Sequence, residues 1–161
     1  MKYISRISKQ ISFIFIVITL LTSCGAAKKA RVRESKINTV INTARTYTGV
    51  PYKWGGTTRG GMDCSGLLLN SYKSIGIQVP RTSELQSSYG QKVKEKKIQP
   101  GDWVFFATGK KKRKITHVGL VTYVKRGTVK FIHASTNLGV VESSMNTEYY
   151  QKSFRMARRP F

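Results

Sequence analysis

The chain has 161 residues, enough for one domain plus a leader and for a single buried core that needs no covalent staples. Lys and Arg number 29 against 7 Asp and Glu, and the resulting charge of +22 favours an anionic partner or surface while leaving the fold undetermined. There are 2 cysteines and 2 histidines, so thiol and imidazole chemistry is confined to Cys24, Cys64, His117 and His133.

Residues 1–24 read as a secretory signal. Lys2, Arg6 and Lys9 form a positive start, and Ile11 to Leu21 is an apolar run. That run is too short for a bilayer span, which takes about 20 residues, and has the length of a signal core. It ends at Leu21-Thr22-Ser23-Cys24-Gly25, which resembles the bacterial lipobox. The resemblance implies that residues 1–23 are removed and that Cys24 is acylated, because two or three chains anchor a protein stably where one does not. An ordinary cleaved signal with an incidental Cys24 is the plainer alternative. A Cys24–Cys64 disulfide is the usual expectation for an exported protein, and acylation would leave Cys64 free. Residues 24–34 are small and basic without apolar period, and read as a tether; the folded domain is expected over 35–161.

Ile37, Val40, Ile41, Ala44 and Tyr47 repeat at helical spacing and predict a helix from an N-cap at Ser35 to a stop at Gly49 and Pro51. An aromatic, glycine-rich loop follows at Pro51 to Gly56. Asp63 then stands as N-cap of a buried helix from Cys64 to Ile75, with Gly76 beyond its end. Ser83 and Gln86 suggest a capping box for a shorter helix ending at Gly90. After the turn Pro100-Gly101-Asp102 the pattern becomes β-rich: Trp103 to Ala107, Thr116 to Val124, Thr128 to Ser135, Gly139 to Ser143 and Arg155 to Arg158. Helices followed by an antiparallel sheet make an α+β domain. The dense run Lys110 to Lys114 reads either as a solvated loop or as a landing pad for anionic envelope polymers or lipid headgroups.

A thiol attacks as thiolate, and a helix N-terminus or a nearby imidazolium lowers its pKa. Cys64 is expected in the first turn of its helix, where free backbone N–H groups also suit an oxyanion. Asp63 orders that turn, yet its charge opposes the thiolate, so a histidine is needed. His117 and His133 lie in the two arms of one predicted hairpin. A three-residue loop, Lys125-Arg126-Gly127, would pair Val124 with Thr128, put Gly119 opposite His133 and make His117 its diagonal neighbour, about 7 Å away. A two-residue loop, Arg126-Gly127, would send the imidazoles to opposite faces. With the longer loop one imidazole takes the thiol proton and the other orients it. The spacings from Cys64 to His117 and from His117 to His133 fit no short structural-zinc pattern, and neither metal nor cofactor is expected.

Six blocks carry a resemblance to a known family: Pro51-Tyr52-Lys53-Trp54-Gly55-Gly56, Met62-Asp63-Cys64-Ser65-Gly66-Leu67, Val79-Pro80-Arg81-Thr82-Ser83, Pro100-Gly101-Asp102-Trp103-Val104-Phe105-Phe106, Thr116-His117-Val118-Gly119 and Phe131-Ile132-His133-Ala134-Ser135. In that order they resemble NlpC-type cell-wall cysteine peptidases, and most closely the lipoprotein murein endopeptidases within that family. The resemblance runs from about Ile37 to the C-terminus. It implies a papain-like α+β fold, helices first and packed on an antiparallel sheet, and hydrolysis of peptidoglycan stem peptides or cross-links at D-amino acid or diaminopimelate bonds. By position it implies Cys64 as nucleophile, His117 as general base and His133 as the orienting third member. Tyr52 matches a tyrosine that lines the site and helps hold the oxyanion, while Ser65 and Arg81 match positions near the substrate cleft. The arms between His117 and His133 are longer than usual in the family by an even number of residues, so the facing survives.

The expected setting is the cell envelope, with a monomer anchored to a membrane through lipidated Cys24, peptidoglycan as substrate and anionic envelope polymers as further partners. A catalytically silent wall-binding lipoprotein on the same fold is the alternative; it would lack one of the reacting residues, and none is missing. Acyl transfer by the same constellation also stays open. Nucleic acid is not an expected partner, because the leader exports the chain and no aromatic-basic binding motif is present.

Overall fold

A computed structural model describes residues 25–109, 111 and 113–161. The signal segment, the acylation candidate Cys24 and the lysines at 110 and 112 lie outside the described residues. Helix α1 covers 25–45 without a break, which corrects two expectations. Ser35 is not an N-cap, and 25–34 is helical where a tether was expected; its Ala, Lys and Arg residues are strong helix formers and override the missing apolar period. The compact unit carrying everything below is Ile37–Phe161. Within it, Ile37, Val40, Ile41 and Ala44 are buried, as their spacing predicts.

After α1 the chain forms a small hairpin of β1 (Thr57–Thr58) and β2 (Gly61–Met62). Helix α2 (Cys64–Lys73) follows directly, with Asp63 as its cap: the carboxylate accepts the Gly66 N–H at 2.7 Å. Gly66 has to be glycine, since a Cβ there would lie 2.3 Å from the Gly56 carbonyl oxygen. Leu67, Leu68 and Tyr72 are fully buried, each worth roughly 1.5–3 kcal/mol of apolar transfer. Helix α3 (Ser83–Gln86) is a single turn capped by Thr82 instead of Ser83. Gln86 does not reach back to a cap; it turns inward and donates to the carbonyls of Ser65 and Pro80.

The main sheet has six antiparallel strands: β3 (Gln91–Val93), β4 (Trp103–Phe106), β5 (His117–Lys125), β6 (Thr128–Ser135), β7 (Gly139–Ser144) and β8 (Phe154–Arg159), in spatial order β3-β8-β4-β5-β6-β7. A 3-10 turn at Glu95–Lys97 and helix α4 (Glu148–Ser153) complete the fold. One sheet face packs Phe105, Val118, Leu120, Ile132 and Ala134 against α1 and α2. The other packs Val104, Phe106, Val121 and Phe131 with Tyr150 of α4 and Phe154. The C-terminal strand, faint in the sequence, lies inside the sheet between β3 and β4. Its Arg159 is fixed by a two-pronged pair to fully buried Asp102, at 2.7 and 2.8 Å.

The hairpin β5–β6 overturns the expected turn and keeps the expected facing. Its loop is the two-residue one: Lys125 pairs with Thr128, and Arg126 and Gly127 both take positive φ, +49° and +78°. Alone, that loop would separate the histidines. The ladder then shifts between Val121 and Tyr123, where Thr122 is an extra residue, and resumes as Val121 with Phe131 and Leu120 with Ile132. Continuing one step puts Gly119 opposite His133, the pairing anticipated from a different loop.

Candidate active site

Cys64 stands at the first residue of α2, 6% exposed and free of any disulfide. The backbone N–H groups of Val118, of Ser65 and of Cys64 itself act on its sulfur in favour of the thiolate. Val118 is the strand neighbour of His117, so the head of α2 abuts the start of β5. Among the described residues no hydrogen bond joins the thiol to an imidazole. Burial pushes the Cys64 thiol up to about 11; the Val118 N–H opposes this, and the Asp63 charge adds to it. The helix terminus is thus outweighed by desolvation, and the resting group is a neutral thiol, not the thiolate that a helix start by itself suggests.

The Asp63 charge is compensated by its neighbours. Arg81 reaches both carboxylate oxygens, at 3.0 and 2.8 Å, and Ser65 Oγ donates to one of them at 2.9 Å while accepting from Arg81 at the same distance. Burial works to raise the Asp63 carboxyl, but Arg81, the Gly66 N–H and Ser65 together hold it below the usual carboxylate range. Ser65 and Arg81 line a cleft beside Cys64, and their polar atoms are spent on the turn that carries it. Tyr52, bridged to Met62, lines the same cleft. Burial raises its hydroxyl pKa, and the negative charges that Cys64 and Asp63 can carry raise it further.

The two histidines come together on one sheet face. His117 Nε2 and His133 Nδ1 are 2.9 Å apart, with the rings edge to face. Burial lowers His117 to about 4; burial and then the charge of His117 lower His133 to about 3. Both are neutral at ordinary pH. His133, 1% exposed, stacks on Phe131 at 4.8 Å, and that ring occupies the space Gly119 leaves open. Its other nitrogen, Nε2, meets Ser143 Oγ at 3.0 Å and the Tyr150 hydroxyl at 3.1 Å. The sequence reading missed both. Ser143 could have been found by parity, since Phe131 pairs with Ser143 and His133 is therefore its diagonal neighbour. Nothing local announces Tyr150, which arrives on an unexpected helix.

A cleft of about 640 Å³ opens over Cys64, lined by Tyr52, Trp54, Ser65, Arg81 and Lys114 among others. Trp54 is 86% exposed on its rim. Lys114, the last residue of the basic run, pairs with Glu84 at 3.7 Å. Among the described residues no group of three or more His, Cys, Asp or Glu side chains could hold a metal ion.

This chain is similar to known proteins along most of its length. It is 37% identical over 156 residues to a probable endopeptidase NlpC of Escherichia coli K12, covering 91% of this chain and 98% of that one. It is 39% identical over 121 residues to the murein DD-endopeptidase MepS/murein LD-carboxypeptidase of the same organism, covering 74% and 61%. A crystal structure of an NlpC/P60 family protein from Bacillus cereus superposes with a TM-score of 0.68 at 37% identity, covering 76% of this chain and 39% of that one. The peptidoglycan hydrolase RipB of Mycobacterium tuberculosis gives 0.64 at 26%, covering 80% and 66%. The chain thus spans about two fifths of the Bacillus cereus protein, about three fifths of the MepS protein and nearly all of the Escherichia coli NlpC. The family model for NlpC/P60 matches residues 49–159, which include Tyr52, Cys64, His117 and His133, and the chain belongs to the NlpC/P60 family.

Proposed function

We propose that this protein is a cysteine endopeptidase that hydrolyses peptide bonds in peptidoglycan stem peptides or their cross-links. The observation that carries the reading is the His117–His133 contact of 2.9 Å at the start of β5, one residue from Val118, whose backbone N–H favours the Cys64 thiolate. In this reading the bare Nδ1 of His117 takes the thiol proton as sulfur attacks the scissile carbonyl carbon. The Tyr52 hydroxyl and backbone N–H groups at the head of α2 receive the oxyanion. Collapse breaks the C–N bond, the amine leaves with the proton held by His117, and a thioester remains on Cys64. Water, deprotonated by His117, then releases the acid and the thiol.

The names of the relatives, murein endopeptidases among them, support peptidoglycan as substrate. The lipobox-like segment supports an envelope protein held to a membrane by acylated Cys24. The neutral resting pair fits general-base activation on substrate binding, not a stored thiolate. The test is mass spectrometry of muropeptides digested by the wild type, by Cys64→Ser and by His117→Ala. The wild type should yield shortened or separated stems and both variants none. His133→Ala should retain slow cleavage, since it orients and transfers no proton itself. Full activity in Cys64→Ser would reject the mechanism.

A further inference from the structure

We propose that Ser143 and Tyr150 are positioning residues which accept the His133 Nε2–H and so hold His133 ready to stabilise a positively charged His117. The inference rests on the reading of Cys64 and His117 as the reacting pair, and it follows from counting hydrogens. When His117 takes the thiol proton, both its nitrogens carry hydrogen. One hydrogen must then lie in the 2.9 Å contact between its Nε2 and His133 Nδ1, and His117 is the donor. A neutral His133 accepting at Nδ1 carries its own hydrogen at Nε2. That N–H is buried and needs an acceptor, and the two oxygens within reach are Ser143 Oγ at 3.0 Å and Tyr150 OH at 3.1 Å.

The two oxygens converge on the same His133 nitrogen, which gives the small network a fixed shape. They come from separate elements, β7 and α4, so the terminus of the chain of hydrogen bonds is set by tertiary packing. Phe131 closes one flank of the His133 ring by stacking, and Tyr150 stands edge-on at 5.6 Å. Besides His117, the titratable neighbours described around His133 are Tyr150 and, behind it, Tyr149, none of which offers a carboxylate. The network is therefore neutral: it orients His133 without supplying charge. Two acceptors for one hydrogen also make it redundant, because either oxygen alone satisfies the N–H.

The redundancy sets the test. Ser143→Ala and Tyr150→Phe should each lower kcat/KM by no more than about threefold, while the double variant should lose roughly 10- to 100-fold, the cost of a missing hydrogen bond to a charged system. The loss should fall on kcat with KM little changed. Ser143→Thr combined with Tyr150→Phe keeps one hydroxyl and should restore activity to the level of Tyr150→Phe alone. A readout independent of turnover is the NMR titration of His117 in a Cys64→Ala background. Its protonation should move to lower pH in the double alanine–phenylalanine variant and return with threonine. An unmoved titration in a variant that melts as the parent does would overturn the inference, as would single variants as damaging as the double. Loss of the titration shift concerns this inference alone, whereas cleavage by Cys64→Ser would remove the functional reading beneath it.

Discussion

Asp63 has two effects that oppose each other: its carboxylate orders the turn that presents Cys64, and its charge disfavours the thiolate. The sequence exposes the conflict but not its resolution, because Arg81 lies 18 residues away and only the fold closes its guanidinium over both carboxylate oxygens. The histidines obey a similar logic. Cys64, His117 and the Asp63 cap were legible as residue types at informative places; the direction of the pKa shifts was not, since it depends on how completely the site is buried. Burial lowers His117 to about 4, so the acid limb of kcat/KM should lie well below the 6.5 of an ordinary histidine. A limb at 6.5 or above in a pH–rate profile would contradict this. Stability follows the same sign. The unfolded chain binds protons on His117 and His133 from about pH 6.5 downward, the folded chain only near 4 and 3, so the folded state loses ground as the pH falls between those values. The denaturant midpoint should drop across that window, and His117→Gln with His133→Gln should flatten the slope.

At the scale of elements, the hairpin β5–β6 shows why a correct facing can be reached through a wrong turn. Gly127 fits both the three-residue and the two-residue loop, and the alternation that would betray the bulge is hidden because Val118, Leu120, Val121 and Val124 are all apolar. Val121 and Val124, three residues apart, nonetheless pack in the same cluster, which is the mark of the extra residue between them. Thr122 is that residue, and its hydroxyl is buried with no partner, so it is retained for register and not for its own bonds. Deleting Thr122 should remove the bulge while leaving Tyr123 with Lys130 and Val121 with Phe131, so that Gly119 stays opposite His133 and both histidines keep one face. Cleavage should survive in the deletion, and circular dichroism should keep its β signal. Loss of cleavage in a folded deletion variant would contradict this register. Elements with strong apolar period or a clear cap were readable: α2, β4, β5, β6 and β7. Strand β3 and helix α4 were not, being short and polar and held in place by their neighbours.

Over the whole molecule, the charge is less even than its total suggests. Among the described residues, five acidic side chains stand in ion pairs: Asp63 with Arg81, Asp102 with Arg159, Glu84 with Lys114, Glu142 with Arg45 and Glu148 with Lys152. The other described Lys and Arg side chains are exposed or half-buried, with few acids left to offset them. Association with isolated cell walls should therefore weaken as salt shortens the screening length below about 10 Å, and a variant with the 110–114 run changed to serines should lose part of that dependence. Binding indifferent to salt would return the run to a plain loop. None of this bears on the chemistry, which stands or falls at one sulfur atom. The most direct measurement is intact-protein mass spectrometry of the enzyme quenched during turnover of a purified muropeptide. The account predicts a stem-peptide acyl group, labile to hydroxylamine, on Cys64 and a larger trapped fraction when deacylation is slowed. Product formed without any such adduct, or an adduct on another residue, would contradict it.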